Sequence, residues 1–516
     1  MSNPRHARRF GGDASIDTFI GTGVGATALA TTSAMHPPRA STSGTHTMAM
    51  PLLLFATLTM ASACQTHDPV AASENPSWSG DELESLEATP RSQPQVPASD
   101  DPPPTRRAPT ARQNAPARGG SRSADAAARG AIVYDRIRPS GRGSGGRVER
   151  NGFVYETGAL FEPPEGKVIH AMGQWREGNE AHTAVAGEGR SPVTGLQFIP
   201  IGPWMRPWEN RITAFTDLLE GEVDAGRMLH IGINLAGIDD QGEGVPIDHL
   251  VAWDTVYDDR IRDLARVVGG TGAPTFIRIG FEFNGPWNGY HPYAYPQAYR
   301  RIVDIFDEVG ALNAAFVWCY EPAAPDDFDA TDSRGPLWFP GEDVVDWFGL
   351  DVFVQRDFQL TPGRSSPDSR AAHSERFLRM ARDFGKPVII AEASAVDVDI
   401  TDSRADGVED WNAWFAPFFA WVRSHPEIKA VHYVNVDWQT IGRARERGWL
   451  DADIGQNSYI AERFRNEISG PTWIHADDTE ELLGWVEHSS PSRLDEVRAL
   501  LPAPVNTGRG GRGGRR

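Results

Sequence analysis

The sequence predicts a (β/α)8 TIM barrel preceded by a signal segment and a disordered linker. Three observations carry this expectation. Between about Asn151 and Gly470, short β-rich apolar runs alternate with amphipathic helical stretches, which implies a parallel sheet. There are eight such runs in this region, the number that closes a barrel. The glycine-rich phosphate turn of a doubly wound dinucleotide fold, the main competitor, is missing after the first run. A lone glycine pattern, GTGVGATA near Gly21, stands outside any strand–helix unit.

Taken in order, the runs are KVIHAM (167–172), GLQFIPIG (195–202), MLHIGINL (228–235), TFIRIGFEF (275–283), AAFVWCY (314–320), VDWFGLDVF (345–353), PVIIAEAS (387–394) and AVHYVNVDW (430–438). Helices are expected between them. AYPQAYRRIVDIFDEVG carries Ala298, Ile302, Ile305 and Phe306 near helical spacing. SERFLRMARDFG stops at Gly385, and DWNAWFAPFFAWVRSHP stops before Pro426.

The flanks differ in composition. The stretch MAMPLLLFATLTMASAC, Met48 to Cys64, has a short apolar core and small residues before the cysteine, the pattern of a secretory signal. Cys64 directly after Ala61-Ser62-Ala63 resembles a bacterial lipoprotein cleavage site, with Cys64 as the lipidated residue. An ordinary secretory signal, or an apolar stretch with no targeting role, are the alternatives. The chain is therefore expected to be exported, as a cell-envelope lipoprotein or a secreted protein. Residues 65–150 are rich in Pro, Ser, Ala, Arg and Gly and cannot bury enough apolar surface to offset ordering entropy. The expected organisation is a leader over 1–64, a disordered linker over 65–150, a catalytic barrel over 151–470 and an extension with an Arg/Gly-rich tail over 471–516. Through Cys64 the chain would be tethered to a membrane.

The bulk numbers narrow the function. A formal net charge of −20 argues against nucleic acid as a partner. Two cysteines, Cys64 and Cys319, do not make a disulfide framework. Cys319, within an apolar run, reads as a small buried hydrophobe. Sixteen tryptophans, several in loops, suit flat apolar sugar faces.

Barrel enzymes hold their chemistry at the C-terminal ends of strands. Two runs end on carboxylates: Glu282 closes the fourth and Glu392 the seventh. Strands four and seven face each other across a closed barrel. By period-2 alternation Arg278, Gly280 and Glu282 share one face, so Arg278 is placed to lower the pKa of a neighbouring carboxylate. Two carboxyls over one cleft are what glycoside hydrolysis needs, about 5–5.5 Å apart when the anomeric configuration is retained. Trp287, Tyr290, Trp318, Tyr320 and Trp438, at or just beyond strand ends, are candidate sugar platforms. Either glutamate alone is more simply a surface ion-pair partner, and any one Trp is as readily a core residue.

RIGFEFNGPWNGYHP, followed by AYRRIVDIFDEVGALNAAFVWC, resembles the acid/base region of glycoside hydrolase family 26, in the clan of retaining barrel glycosidases. The residues that carry the likeness are Arg278, Glu282, Phe283, Asn284, Trp287 and Val317-Trp318. KPVIIAEAS resembles the nucleophile strand, and WNAWF and AVHYVNVDW resemble the elements after it. The resemblance implies Glu282 as acid/base and Glu392 as nucleophile, with Arg278 and Asn284 among the substrate-binding residues. It also implies a polysaccharide substrate, β-1,4-mannan by family frequency, with mixed-linked β-glucan or β-1,3-xylan as alternatives. One position departs: the family usually has His directly before the acid, and this chain has Phe281. A carbohydrate-binding barrel without turnover and an adhesive surface protein are the competing readings.

No cofactor or metal is expected. Asp326, Asp327, Asp329 and Asp332 are clustered, but miss the calcium-loop spacing of an EF-hand. His432 and Asp437 are candidates to line the cleft, while His170 reads as a core histidine. A monomer is expected.

Overall fold

The computed structural model describes residues 148–150, 152–239, 244–324, 328–361, 365–401, 404–478 and 492–505. The leader with Cys64, the linker up to residue 147, Asp326 and Asp327, and the Arg/Gly-rich tail lie outside the described residues.

Eight parallel strands close into a barrel: β1 (Val168–Met172), β2 (Thr194–Pro200), β3 (Met228–Asn234), β4 (Thr275–Ile279), β5 (Ala314–Tyr320), β6 (Trp347–Val352), β7 (Val388–Ala393) and β8 (Ile428–Tyr433). Each falls within or overlaps one of the eight apolar runs. β8 returns to β1, with Ala430 to Tyr433 beside Ile169 to Met172, so no edge is left unpaired. The β1–β2 seam is the thinnest, paired only at Met172 opposite Gly195.

Seven helical stretches cover the strands: α1 (Arg176–Ala186), α2 (Trp208–Asp224), α3 (Asp258–Thr271), α4 (Ala294–Val309), α5 (Arg370–Asp383), α6 over 404–424, with a π-helical turn at Trp411–Phe415, and α7 (Ser458–Ile468). Among the described residues, the β5–β6 connection has no helix. Aromatic rings take its place: Trp338 and Phe339 pack at 5.6 Å and 5.0 Å from Phe283 and Trp318. α4 buries Ala298, Ile302, Ile305 and Phe306 as the spacing predicts, and α5 is followed by Gly385 with φ 62°.

Alternation along each strand sorts side chains into two layers. On β5, Phe316, Trp318 and Tyr320 join the layer between strands and helices. Ala315, Val317 and Cys319 join the barrel interior. The interior floor is completed by residues from outside the barrel. Phe161 meets Phe276 edge-on at 6.0 Å, and Trp347 Nε1 donates to the Leu160 carbonyl at 2.7 Å. The strand Trp473–Ile474 pairs with β1 and adds Ile474 to the same cluster. Further on, the short helix Leu494–Arg498 packs Leu494 and Val497 against α3 at Gly270. The described residues at 473–474 and 494–498 are therefore joined to the barrel.

Candidate active site

Above the apolar floor, the inner faces turn polar. Arg278, on β4, is fully buried, and its guanidinium serves two carboxylates. Nη1 donates to Glu392 Oε1 at 2.5 Å, and Nη2 donates to Asp351 Oδ2. Asp351 reaches the interior by alternation, since Trp347 and Gly349 face the same way. Glu392 does not. Ile389 and Ala391 point inward, so strict alternation would send Glu392 out to the helices. The β6–β7 register instead slips: Leu350 lies opposite Ile390, and Asp351 opposite Glu392. This bulge re-aims the carboxylate into the barrel, a recurrent use of such irregularities.

Glu282 arrives by a different route. β4 ends at Ile279, and the next residues leave the extended conformation, with φ 53° at Gly280 and 47° at Glu282. Positive φ costs little for glycine, but roughly 1–3 kcal/mol for a residue such as Glu282. The expectation that Arg278, Gly280 and Glu282 share a face through one continuous strand is thus corrected: a left-handed turn delivers the acid. The turn is pinned by Asn288 Nδ2, which donates to the carbonyls of Phe281 and Glu282 at 2.9 Å and 3.1 Å. Trp287 Nε1 donates to Glu282 Oε2 at 2.5 Å. Phe281 lies over the Arg278 guanidinium at 5.0 Å and meets Phe198 at 4.8 Å, so an aromatic pair walls this side of the mouth.

The electrostatics follow from burial. Desolvation works against a charged Arg278, but Asp351 and Glu392 outweigh it and hold the guanidinium charged. Burial pushes Asp351 well up; Arg278 opposes this, and Glu392 and Glu282 add to it. Both candidate catalytic carboxylates therefore act on one residue. Next to this pair His230 Nδ1 and His432 Nε2 meet at 2.9 Å, both fully buried. Desolvation takes His432 down to about 3, so His432 is a neutral interior residue and not a cleft-lining group.

Several sequence expectations are corrected by position. Trp318 and Tyr320 are fully buried in the outer layer. Trp318 stacks on Phe283 at 4.6 Å and Tyr320 on Phe377 at 5.1 Å, so neither offers a face to a ligand. Asn284 has its amide committed to the backbone of Glu321: Nδ2 donates to the Glu321 carbonyl at 2.8 Å, and Oδ1 accepts from its N–H at 3.1 Å. Tyr290 is buried, with its hydroxyl accepting from Leu235 N–H at 3.3 Å and donating to Asn234 Oδ1 at 3.4 Å. Trp438 is buried, its Nε1 donating to Ser394 Oγ at 2.8 Å. It meets Trp175 edge-on at 5.4 Å and Trp449 at 4.8 Å. Asp437 caps a short 3-10 turn through Gln439 N–H. Of the five proposed platforms, Trp287 alone is both partly exposed and bonded to a candidate catalytic group.

Other residues of this region were missed. Gln174 Nε2 approaches Glu392 Oε2 at 3.4 Å from the end of β1. Trp175 beside it has φ 66°, a second strained residue near the site. Glu321, just past β5, is a fourth carboxyl; burial and Glu282 push it well above the usual range. Alternation along β6 would have found Asp351. Gln174, Trp175 and Glu321 sit at strand ends, where the same search by position applies.

Residues 253–386 match the model of glycosyl hydrolase family 26. Over that stretch the chain resembles family 26. The matched stretch contains Arg278, Glu282 and Asp351 and stops before β7, so Glu392 lies outside it. The chain is 29% identical to a β-1,3-xylanase of Vibrio sp, over 44% of this chain and 51% of that protein. It is 28% identical to a β-1,3-xylanase of Alcaligenes sp, over 45% and 50%. The chain thus spans about half the length of the curated relatives it matches. A modular endo-β-1,4-mannanase structure from Cellulomonas fimi aligns at 16% identity and a TM-score of 0.43, over 61% of this chain and 73% of that one. That likeness is too distant to bear on substrate.

Proposed function

We propose that this protein is a retaining glycoside hydrolase acting on a β-linked polysaccharide, with Glu392 as nucleophile and Glu282 as acid/base. The observation that carries the reading is the pairing of Glu392 with buried Arg278, while Glu282 sits in a strained turn at the end of β4. A nucleophilic carboxylate must be held in place, and the buried Arg278 guanidinium donates to Glu392 at 2.5 Å. In the first step Glu392 attacks the anomeric carbon as Glu282 protonates the departing glycosidic oxygen. In the second, Glu282 takes a proton from water, which displaces Glu392 from the glycosyl-enzyme. Configuration is inverted twice and so retained.

For the sugar, β-1,3-xylan is preferred to mannan. Two curated relatives are β-1,3-xylanases, and Phe281 removes the hydrogen-bonding His expected of mannan-cleaving members. A Phe281–Phe198 wall offers no polar partner to a sugar hydroxyl. The test is hydrolysis of β-1,3-xylan, β-1,4-mannan, mixed-linked β-glucan and β-1,3-glucan by the full chain and by Glu282→Ala and Glu392→Ala. Loss of about 10³-fold or more in kcat is expected for each variant, with azide restoring turnover to Glu392→Ala as an inverted glycosyl azide. Activity that survives both substitutions overturns the site. Cleavage of mannan but not of β-1,3-xylan overturns the substrate and leaves the site standing.

A further inference from the structure

A groove of about 810 Å³ lies between α1 and α2, beside the thin β1–β2 seam, and runs up to Trp175 and Phe198 at the mouth. Its lining includes the apolar residues Leu196, Ala214 and Leu218, and its carboxylates, Glu177, Glu180, Glu188, Asp217 and Glu222, outnumber its cations, Arg176 and Arg227. Among the described residues, Glu177 and Glu188 have no cation within ion-pair reach. A face of this kind calls for an occupant that is apolar and basic at once.

The neighbouring groove shows how this chain meets that demand. Between α2 and α3, the segment Leu494–Arg498 inserts Leu494 and Val497, and Arg498 reaches Asp217 and Glu220 of α2 at 2.6 Å and 2.8 Å. One other stretch has the same make-up. Residues 131–138 read AIVYDRIR: Ile132, Val133, Tyr134 and Ile137 with Arg136 and Arg138. Between Gln65 and Gly130 there is no Ile, Tyr or Phe at all, so within the expected linker this chemistry is confined to that point.

Reach is consistent. Val148–Arg150 pairs with Phe153–Tyr155, and Val154 accepts from Glu165 N–H at 2.7 Å, two residues from Lys167 at the foot of β1. Lys167 and Glu188 line one small pocket there, and Glu188 also marks the lower end of the groove. The ten residues from Arg138 to Val148 span at most ~36 Å.

We propose that the groove between α1 and α2 is the docking site of residues 131–138 of the same chain. Its upper end includes Gln174, which bonds the Glu392 carboxylate, so the seat extends from the foot of the barrel to its mouth.

The test is hydrogen–deuterium exchange on the full chain and on Ile132→Asp/Ile137→Asp. Amides of α1 and α2 should exchange faster in the variant, by roughly 3-fold or more, with α5 across the barrel unchanged. A paired experiment joins Val133→Cys to Leu218→Cys under mild oxidation in a Cys64→Ser background. A disulfide is expected there and not from Ser123→Cys with Leu218→Cys; Cys319 is buried and does not compete. Unchanged exchange together with no crosslink overturns the proposal. So does a chain ending at Val505 that speeds exchange of α1 and α2 where the Ile pair does not, since the Arg/Gly-rich tail would then be the occupant.

Discussion

Replacing Arg278 by Met keeps a long stem inside the barrel and removes the cation shared by Asp351 and Glu392. Breaking a buried ion pair by deleting one partner costs about 3–5 kcal/mol, because the charge left behind has neither water nor a counter-ion. Here one guanidinium is fully buried between two carboxylates, which puts the expected loss toward the upper end of that range. Part of it is recovered when Asp351, already pushed up by burial, takes a proton. Without Arg278, Glu392 also loses a direct charge-assisted hydrogen bond that holds its carboxylate in place. kcat should therefore fall by about 10–100-fold, as loss of a hydrogen bond to a charged group implies. Urea unfolding and steady-state kinetics on the cleaved glycan measure the two effects. Arg278→Lys should fall between, since one ammonium cannot fork to both acids. A Met variant within about 1 kcal/mol of the parent, with its kcat unchanged, would refute the reasoning.

Three further outcomes are expected. Trp287→Phe removes the Nε1–H bond to Glu282 and should lower kcat about 10–100-fold, as loss of a charge-assisted hydrogen bond implies, with little change in unfolding. Gly280→Ala forces a Cβ to within 2.7 Å of the Tyr295 ring at φ 53°, and should destabilise by about 2–4 kcal/mol in urea. His182, held to about 3 by burial, binds a proton in the unfolded chain near pH 6.5 but not in the fold. Its contribution is full above that pH and lost below it, by about 2 kcal/mol between pH 7.5 and 5. His182→Gln should flatten the slope of stability against pH in that window, whatever its effect on absolute stability, and an unchanged slope would exclude the linkage.

Eight strands were legible because each is a short apolar run bounded by turn residues, and a parallel barrel buries both faces. Glu282 and Glu392 were legible by position, as acids at the ends of the fourth and seventh runs. How they face the cleft was not. Glu392 points inward through a register slip, and Glu282 through a left-handed turn, neither of which period-2 counting contains. The same counting, applied to β5, would have removed Trp318 and Tyr320, since they share parity with Phe316 on the helix side. Asn284 was read as a ligand group from the family resemblance; its commitment to the Glu321 backbone depends on β5 lying alongside, a long-range fact. That the described residues of the β5–β6 connection hold no helix was hidden because aromatic residues such as Trp338 serve equally well in a loop or on a helix.

Phe161 and Ile474 come from opposite flanks of the barrel sequence and meet in its lowest layer. A shortened protein starting at Lys167 or stopping at Gly470 would open that underside to water and strip packing from Phe276 and Trp347. The barrel's cooperativity thus includes sequence that no strand count would assign to it, and the smallest fragment that unfolds as one unit should begin before Leu160 and run beyond Ile474.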